Sequence, residues 1–477
     1  MKTPLALLTI SVATLLLVGC ASYNAKPIVP ATTAAALEQR SFDDPTLRSL
    51  LTSALPERSA AAGNSNWDLS SLTVAALYFH PDMEIAQSKL ALARAGVTTA
   101  GQIPNPTFSL DPTRHGVIID PSPWTVGLLV NLVLELGGKR EKRVDQAREL
   151  VEAARQDLAT ASWQVRGSVR SSLLDLWAAD GRRGLSARRQ ALQEQIVGIL
   201  DRRFGAGDAS AIEVARERIA LSQARLALRD TERQAADARV RLATAVGVPV
   251  RAFDGVCPSV AAFDQPASIP ELASVSAGPL RQRALQQRTD ILGALAEYNA
   301  TQNGLRLEVA KQYPNITLGP GYTYDQGDDL YSLGLSAELP IFNQNQGPIA
   351  EANSRRSEAA ARFVALQARI IGEIDRALAA YRSSERSLDT TDEMARVAQR
   401  RAQQIARSQR LGEVDRLTSL TAELEQATVD LARFDALVQQ REALSLIEDA
   451  IQQTIFDKAP GSFAYDEKRP TKLELAR

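Results

Sequence analysis

The sequence predicts a mainly α-helical chain with a small antiparallel β part, built from two structural repeats of helix–strand–strand–long helix–helix. Three observations carry this. The chain says nearly the same thing twice: Asn105-Pro106-Thr107-Phe108-Ser109-Leu110 returns 208 residues later as Tyr313-Pro314-Asn315-Ile316-Thr317-Leu318. Trp124-Thr125-Val126-Gly127-Leu128 returns after 207 residues as Tyr331-Ser332-Leu333-Gly334-Leu335, and Gly207-Asp208 after 205 as Gly412-Glu413. Internal repetition sets the architecture before any single element does. Second, no proline interrupts residues 124–248, and apolar or small residues recur at Val144, Ala147, Val151, Ala154, Leu158, Ala161 and Val165. Those alternating steps of three and four are coiled-coil spacing. Third, each copy holds two stretches that alternate between apolar and small or polar residues, the period of a strand with unlike faces.

Composition narrows the function classes. Lys+Arg 55 against Asp+Glu 56 leaves a net charge of −1, without the basic excess expected of a nucleic-acid binder. Two histidines (His80, His115) and two cysteines (Cys20, Cys257) argue against a structural zinc site. No phosphate loop, nucleophile elbow or metal-ligand cluster is present to suggest an enzyme. After the N-terminal run no apolar stretch reaches 18 residues, so a membrane crossing by the mature chain requires strands.

The elements follow in order. Met1-Lys2 before an apolar run from Leu5 to Val18 has the layout of a secretory signal, assigned to residues 1–19. Its end, Leu17-Val18-Gly19-Cys20-Ala21-Ser22, resembles a bacterial lipoprotein signal cut before Cys20, with Cys20 then acylated (palmitate among the acyl chains). An ordinary signal with an incidental cysteine is the alternative. Ser22, in place of an acidic residue, fits sorting of such lipoproteins to the outer membrane. With Cys20 acylated, Cys257 is left without a disulfide partner, and it reads as a structural residue of an irregular connection.

Residues 20–66 read as a lipidated tether with a short helix near Pro45–Leu55. Repeat 1 spans 67–249. It opens with a helix to about Gln102, in which Pro81 is a break or a first-turn residue. Pro104 and Pro106 stop that helix ahead of strands at about 106–113 and 123–136. Gly137-Gly138 opens a helix to about Phe204, a rod of about 100 Å at about 1.5 Å per residue. Gly205-Ala206-Gly207 turns the chain into a helix from about Asp208 to Val246, ended by Gly247 and Pro249. Residues 250–278 form a Pro/Ser/Gly-rich linker. Repeat 2 spans 279–456: a helix from about Gly278 to Gln312, strands at about 314–325 and 330–342, a helix from about Pro348 to Arg410, the Gly412 turn, and a helix to about Phe456. Residues 457–477 form a polar tail.

Strand parity carries the membrane argument. Trp124, Val126, Leu128, Val130, Leu132 and Leu134 share one face of their strand; Tyr331, Leu333, Leu335, Ala337, Leu339 and Ile341 share one face of theirs. An apolar face against lipid and a small, polar face against water gives this pattern. A soluble sheet over a core gives it too. Trp124, Tyr322, Tyr324 and Tyr331 at the outer ends favour the barrel, since Trp and Tyr gather at membrane interfaces. Four strands cannot close a barrel, so chains must associate: three copies supply 12 strands and leave a water-filled bore.

With these residues on the page, the chain resembles the TolC-like outer-membrane efflux factors, in their lipidated branch. The resemblance rests on Pro106–Leu110 and Pro314–Leu318 entering the strands, and on Leu134-Glu135-Leu136-Gly137-Gly138-Lys139-Arg140 and Leu339-Pro340-Ile341-Phe342 leaving them. Gly207-Asp208-Ala209-Ser210 and Gly412-Glu413-Val414-Asp415 match at the helix re-entries. It implies a homotrimer with a 12-stranded transmembrane β-barrel continuing into a periplasmic α-helical barrel. It also implies a Gram-negative outer-membrane location and a passive conduit for small molecules or metal ions. The implied partners are outer-membrane lipid, a periplasmic adaptor and a proton-driven inner-membrane transporter, with no cofactor. Phe204, Gly205, Gly207, Asp208, Leu411 and Gly412 are the implied adaptor-docking tips. The pattern departs at the periplasmic gate: Thr418 and Thr421 stand where relatives carry acidic residues. Glu413, Asp415 and Asp208 are nearer the tip and could form an acidic mouth, or Asp208 and Glu413 could only cap helices. The rival readings are a type I protein-secretion conduit and a non-channel coiled-coil lipoprotein. Only three methionines argue against dedicated copper(I) handling.

Overall fold

Proline and glycine set most of the element boundaries, and packing sets the rest. A computed structural model describes residues 23–55, 66–116, 122–264 and 277–456. The signal segment 1–19, Cys20 and the tail 457–477 lie outside those residues. Helices α1 (Pro30–Glu38) and α2 (Pro45–Ala54) and the short strand β1 (Asn66–Trp67) precede the first repeat. That repeat contains α3 (Leu69–Phe79), α4 (Pro81–Ala100), β2 (Thr107–Arg114), β3 (Trp124–Leu134), α5 (Lys139–Gly205) and α6 (Ala211–Val246). A 3₁₀ turn (Val250–Phe253), β4 (Cys257–Pro258) and α7 (Ala261–Asp264) lead toward the second. It contains α8 (Ala277–Gln287), α9 (Thr289–Ala310), β5 (Ile316–Asp325), β6 (Asp328–Ala337), α10 (Gln346–Arg410) and α11 (Arg416–Ile451). Helix lengths repeat closely: 11, 20, 67 and 36 residues in the first unit, 11, 22, 65 and 36 in the second.

The helices stand as columns. Helix α5 packs against α4 and α6 on one side and against α9 and α11 on the other, and α10 packs beyond α9 and α11. Within a column the short helices meet end to end. At the first joint the Arg40 Nη1 donates to Phe79 O at 2.6 Å and Gly247 O at 2.8 Å, tying the C-terminal ends of α3 and α6 together. At the second, the Thr289 N–H donates to Gln452 Oε1 at 2.9 Å and the Arg288 Nη1 to Ala450 O at 2.7 Å. The four longer strands form one antiparallel sheet, in the order β2-β3-β5-β6, beyond the far ends of α4 and α9.

Several boundaries differ from the sequence reading. The segment read as one helix from Gly278 to Gln312 breaks at Arg288, with no proline or glycine to mark it. Its extended backbone is held by tertiary bonds, since the Arg288 guanidinium that reaches Ala450 O also approaches Glu373 of α10 at 3.4 Å. In the first repeat the break falls at His80 and Pro81 is the first residue of α4. The tether is not free over its length: Phe42 and Leu47 are buried, and Phe42 packs on Trp67 and Phe253. Strand β6 stops at Ala337 rather than 342, because Pro340 has no N–H for a ladder. Likewise β3 stops at Leu134, α6 starts at Ala211 and α11 ends at Ile451. Cys257-Pro258 pairs in parallel with Asn66-Trp67 instead of forming an irregular connection.

The main core joins α3, α4, α5 and α6 through Leu72, Phe79, Met83, Val169, Leu173 and Leu242. A second joins α8, α10 and α11 through Leu280, Ala284, Ile370, Ile374, Leu444 and Ile447. Trp177 binds α7 by donating to Asp264 Oδ1 at 2.8 Å, and the Arg441 Nε donates to Phe263 O at 3.0 Å. Among the described residues, helices α3, α7 and α8 therefore lie on one face of the helical wall, leaving its other face bare. Between α5 and α11, Glu448 is fully buried. It accepts from Arg166 and, at 2.8 Å, from Arg170, and through Oε2 from the Ile455 N–H at 2.8 Å.

Candidate conduit surfaces: an amphipathic sheet and paired tips

Directly opposed residues of antiparallel strands share a face. The register pairs Phe108 with Val130, Leu110 with Leu128, Leu128 with Tyr322, Leu132 with Leu318, and Leu318 with Leu335. The apolar sets of the four strands thus merge into one continuous face. It is uncovered in the single chain: Phe108 is 66% exposed, Leu333 75% and Leu335 71%. The opposite face pairs Thr107 with Asn131, Asp111 with Gly127, Thr125 with Asp325 and Gly319 with Gly334. Trp124, Tyr322, Tyr324 and Tyr331 sit together at the end farther from the helices, with the Tyr322 and Tyr331 rings 5.4 Å apart. Among the described residues, the outer edges of β2 and β6 carry no partner strand. No described helix is long and apolar enough to cross a membrane.

The other end of the wall holds two matched hairpin tips. In the first, the Gly207 N–H bonds Phe204 O at 3.0 Å and the Asp208 N–H bonds Arg203 O at 2.8 Å. In the second, the Gly412 N–H bonds Gln409 O at 3.1 Å and the Glu413 N–H bonds Ser408 O at 3.0 Å. Both turns need a left-handed residue, and Gly207 (φ +84°) and Gly412 (φ +80°) supply it. Phe204 and Gly205 end α5, and Phe204 and Leu411 are exposed beside the two turns. Neither Asp208 nor Glu413 caps the next helix, contrary to one sequence reading. Ser210 caps α6 in a reciprocal box with Glu213, and Asp415 caps α11 by accepting from the Thr418 N–H at 2.8 Å. The spacing Ser210-x-x-Glu213 is the readable signal for the first cap.

Asp415 has a second partner that no local pattern announces: the Arg203 Nη2 donates to its Oδ2 at 2.6 Å, across the two hairpins. The Thr418 hydroxyl and N–H, and then Arg203, hold the Asp415 carboxyl well below its usual range, at about 2. Thr418 and Thr421 are exposed, and the Thr421 hydroxyl donates to Leu417 O at 2.9 Å. Arg203–Asp415 is the outermost rung of a ladder with its cations on α5 and its carboxylates on or capping α11. Further rungs are Arg188–Asp430 at 3.7 Å, Arg182–Asp435 at 2.7 Å, Arg170–Asp449 at 2.6 Å and the pairs of Glu448 with Arg166 and Arg170. Leu192, Ile196 and Leu200 of α5 pack with Leu420 and Ala427 of α11 near the tip. Among the described residues, no group of three or more His, Cys, Asp or Glu side chains is placed to hold a metal.

An amphipathic open sheet on a wall of helices about 100 Å long is the construction of a membrane conduit subunit. The chain belongs to the outer membrane efflux protein family, whose model matches residues 72–248 and 280–451. It is 25% identical over 367 residues to the pyoverdine export outer membrane protein OpmQ of Pseudomonas aeruginosa, across 72% of this chain and 74% of that one. It is also 25% identical over 288 residues to the cobalt-zinc-cadmium resistance protein CzcC of Cupriavidus metallidurans, across 60% and 65%. Its fold is similar to that of the outer-membrane channel OprN, with a TM-score of 0.66 at 20% identity, over 92% of this chain and 100% of that one. CusC gives a TM-score of 0.66 at 17% identity, over 83% and 96%. The protein is therefore an outer-membrane efflux protein with its helical part projecting into the periplasm.

Proposed function

We propose that three copies assemble into the outer-membrane channel of a tripartite efflux system. The observation that carries this is the single apolar face shared by four strands whose two edges are open. Joining β6 of one copy to β2 of the next closes a barrel of 12 strands, with the apolar face toward lipid and the small, polar face toward water. An exposed stripe on α6 (Ile212, Ile219 and Leu226, one heptad apart) supports association of neighbouring helices as well. Cys20 carries the lipid that anchors each copy. The tips, Phe204, Gly205, Gly207, Asp208, Leu411 and Gly412, receive a periplasmic adaptor that links the tube to a proton-driven inner-membrane transporter. The conduit is passive, and the transporter supplies the energy.

The mouth between the tips is held by Arg203–Asp415, with Glu413 beside it and Thr418 anchoring the Asp415 cap. Thr421 completes that face of α11 without charge. The relatives' names point to two cargoes, pyoverdine and the metals cobalt, zinc and cadmium, and small molecules or metal ions are favoured over secreted proteins on that ground. The test is direct. Purified protein in detergent is expected to have three times the mass of one mature, acylated chain by light scattering, and to insert into planar bilayers as a pore of uniform conductance. Arg203→Ala is expected to raise that conductance. A monomer, or a trimer that never conducts, overturns the proposal.

A further inference from the structure

The joint between α11 and α9 leaves a cleft of about 570 Å³ on the bare face of the helical wall, opposite α3, α7 and α8. Trp163 and Ser168 of α5 line one side, Arg369 and Arg376 of α10 the other, and Arg288 and Gln452 lie at the joint. Gly167 also lines it, and a Cβ there would come within 3.2 Å of Asp449 Oδ1, so a larger residue would crowd the space. Trp163 is half-buried, with its ring stacked on the Arg166 guanidinium at 5.5 Å, and gives the cleft a flat apolar wall.

Three arginines and three carboxylates line the cleft, but they are not paired one to one. Each carboxylate is already held by an arginine: Asp290 by Arg288 at 2.8 Å, Glu373 by Arg288 at 3.4 Å, and Asp449 by Arg170 at 2.6 Å. Arg376 is exposed and makes no ion pair among the described residues. Arg369 has only a 3.7 Å approach to Glu373. Two guanidinium forks thus face the space with donors to spare, and that geometry suits a carboxylate gripped by two parallel N–H bonds.

We infer that this cleft is a binding site for a small organic anion bearing carboxylates, a resting place on the inner wall of the tube. The inference rests on the conduit reading, which turns the bare face inward. It concerns one site and not the selectivity of the whole bore. The polar face of the sheet carries Asp111, Asp325 and Asp328, which would dominate a reversal-potential measurement.

The test uses the full-length protein in detergent, with citrate as the probe and tryptophan fluorescence as the readout at fixed ionic strength. A saturable change is expected, absent in Trp163→Phe. In an Arg369→Gln/Arg376→Gln variant the affinity is expected to fall by about tenfold or more, the loss of a charge-assisted contact. Both arginines are exposed, so the variant is expected to keep the wild-type size and circular dichroism. No saturable change in the wild type overturns the inference. So does citrate affinity unaltered in the double variant, or an equal response to tetraethylammonium. Planar-bilayer conductance is measured on the same preparation. A conducting protein without a citrate response sinks this site alone, whereas absence of any pore sinks the conduit reading.

Discussion

Replacing Glu448 by glutamine is expected to loosen the chain where the second repeat ends. Its carboxylate is completely buried between α5 and α11. It accepts from two guanidinium groups, and through Oε2 from the Ile455 N–H at 2.8 Å and the Phe456 N–H at 3.3 Å. Glutamine keeps the shape but turns one acceptor into a donor facing buried Arg166 and Arg170. Breaking a buried pair in this way costs about 3–5 kcal/mol, because charge is left uncompensated. Asp449 is the internal control: it also binds Arg170, at 2.6 Å, but its side chain is 50% exposed, so Asp449→Asn is expected to cost under about 1 kcal/mol. Native-state hydrogen exchange reads the difference. In Glu448→Gln the amides of Ile455 and Phe456 are expected to lose protection by about two to three and a half orders of magnitude, at about 1.4 kcal/mol per tenfold. Burial pushes the Glu448 carboxyl up, but Arg170, Arg166 and the hydrogen bonds outweigh it, so the group titrates below its ordinary range. A lowered carboxyl stabilises the fold above the unfolded value of about 4.3 and loses that contribution as pH falls through the folded one. The gap between wild type and Glu448→Gln is therefore expected to hold from pH 8 to about 5 and to shrink below about 4. Equal protection losses in the two variants, or none in Glu448→Gln, would refute the reasoning.

Gly181→Ala places a Cβ 2.1 Å from Cζ of Phe434, whose ring is itself 5.0 Å from that of Trp177. A loss of about 1–3 kcal/mol is expected, with Phe434→Leu recovering part of it in chemical unfolding of the double variant. Asp415→Ala removes a helix cap and should cost about 1 kcal/mol. Because the folded carboxyl titrates at about 2, that cost should be undiminished at pH 5 and should vanish only as pH falls through about 2. Valine at Gly207 or Gly412 forces a β-branched residue into a left-handed turn at an exposed tip. Efflux in a complemented deletion strain should be abolished while the trimer still reaches the membrane; normal efflux would contradict adaptor docking there.

What the sequence revealed was whatever repeats along the chain or acts locally. Alternation over Trp124–Leu134 fixes strand faces whatever lies beside them, and the register then only joins those faces. Gly207 and Gly412 announce turns because few other residues tolerate their backbone. The missed side-chain ties depend on partners far away in sequence. Arg40 looked like part of a tether, yet its guanidinium spans the carbonyls of Phe79 and Gly247. Arg203 is one arginine among many until α11 places Asp415 against it. The break at Arg288 has no local signal because a carbonyl of α11 and a carboxylate of α10 hold it.

The positive-φ residues show how a duplicated unit can keep its backbone while its side chains change. Gly138 (φ +70°) precedes the first long helix, and Asn345 (φ +63°), 207 positions on, precedes the second. Asparagine tolerates that region, and here its Nδ2 also donates to Glu308 O at 2.7 Å. Gly247 (φ +81°) ends α6, and Gln452 (φ +50°), 205 positions on, ends α11. Glutamine has no such tolerance, so its conformation costs about 1–2 kcal/mol. Something must offset that, and the joint supplies it: Gln452 Oε1 accepts from the Thr289 N–H at 2.9 Å and the Thr289 hydroxyl at 3.1 Å. In the first repeat His80 precedes proline, which has no N–H to satisfy, and glycine suffices. The second joint begins with threonine, whose N–H needs an acceptor, and a strained glutamine provides one. The same break is thus made twice, once by residues a sequence pattern can flag and once by a hydrogen bond it cannot.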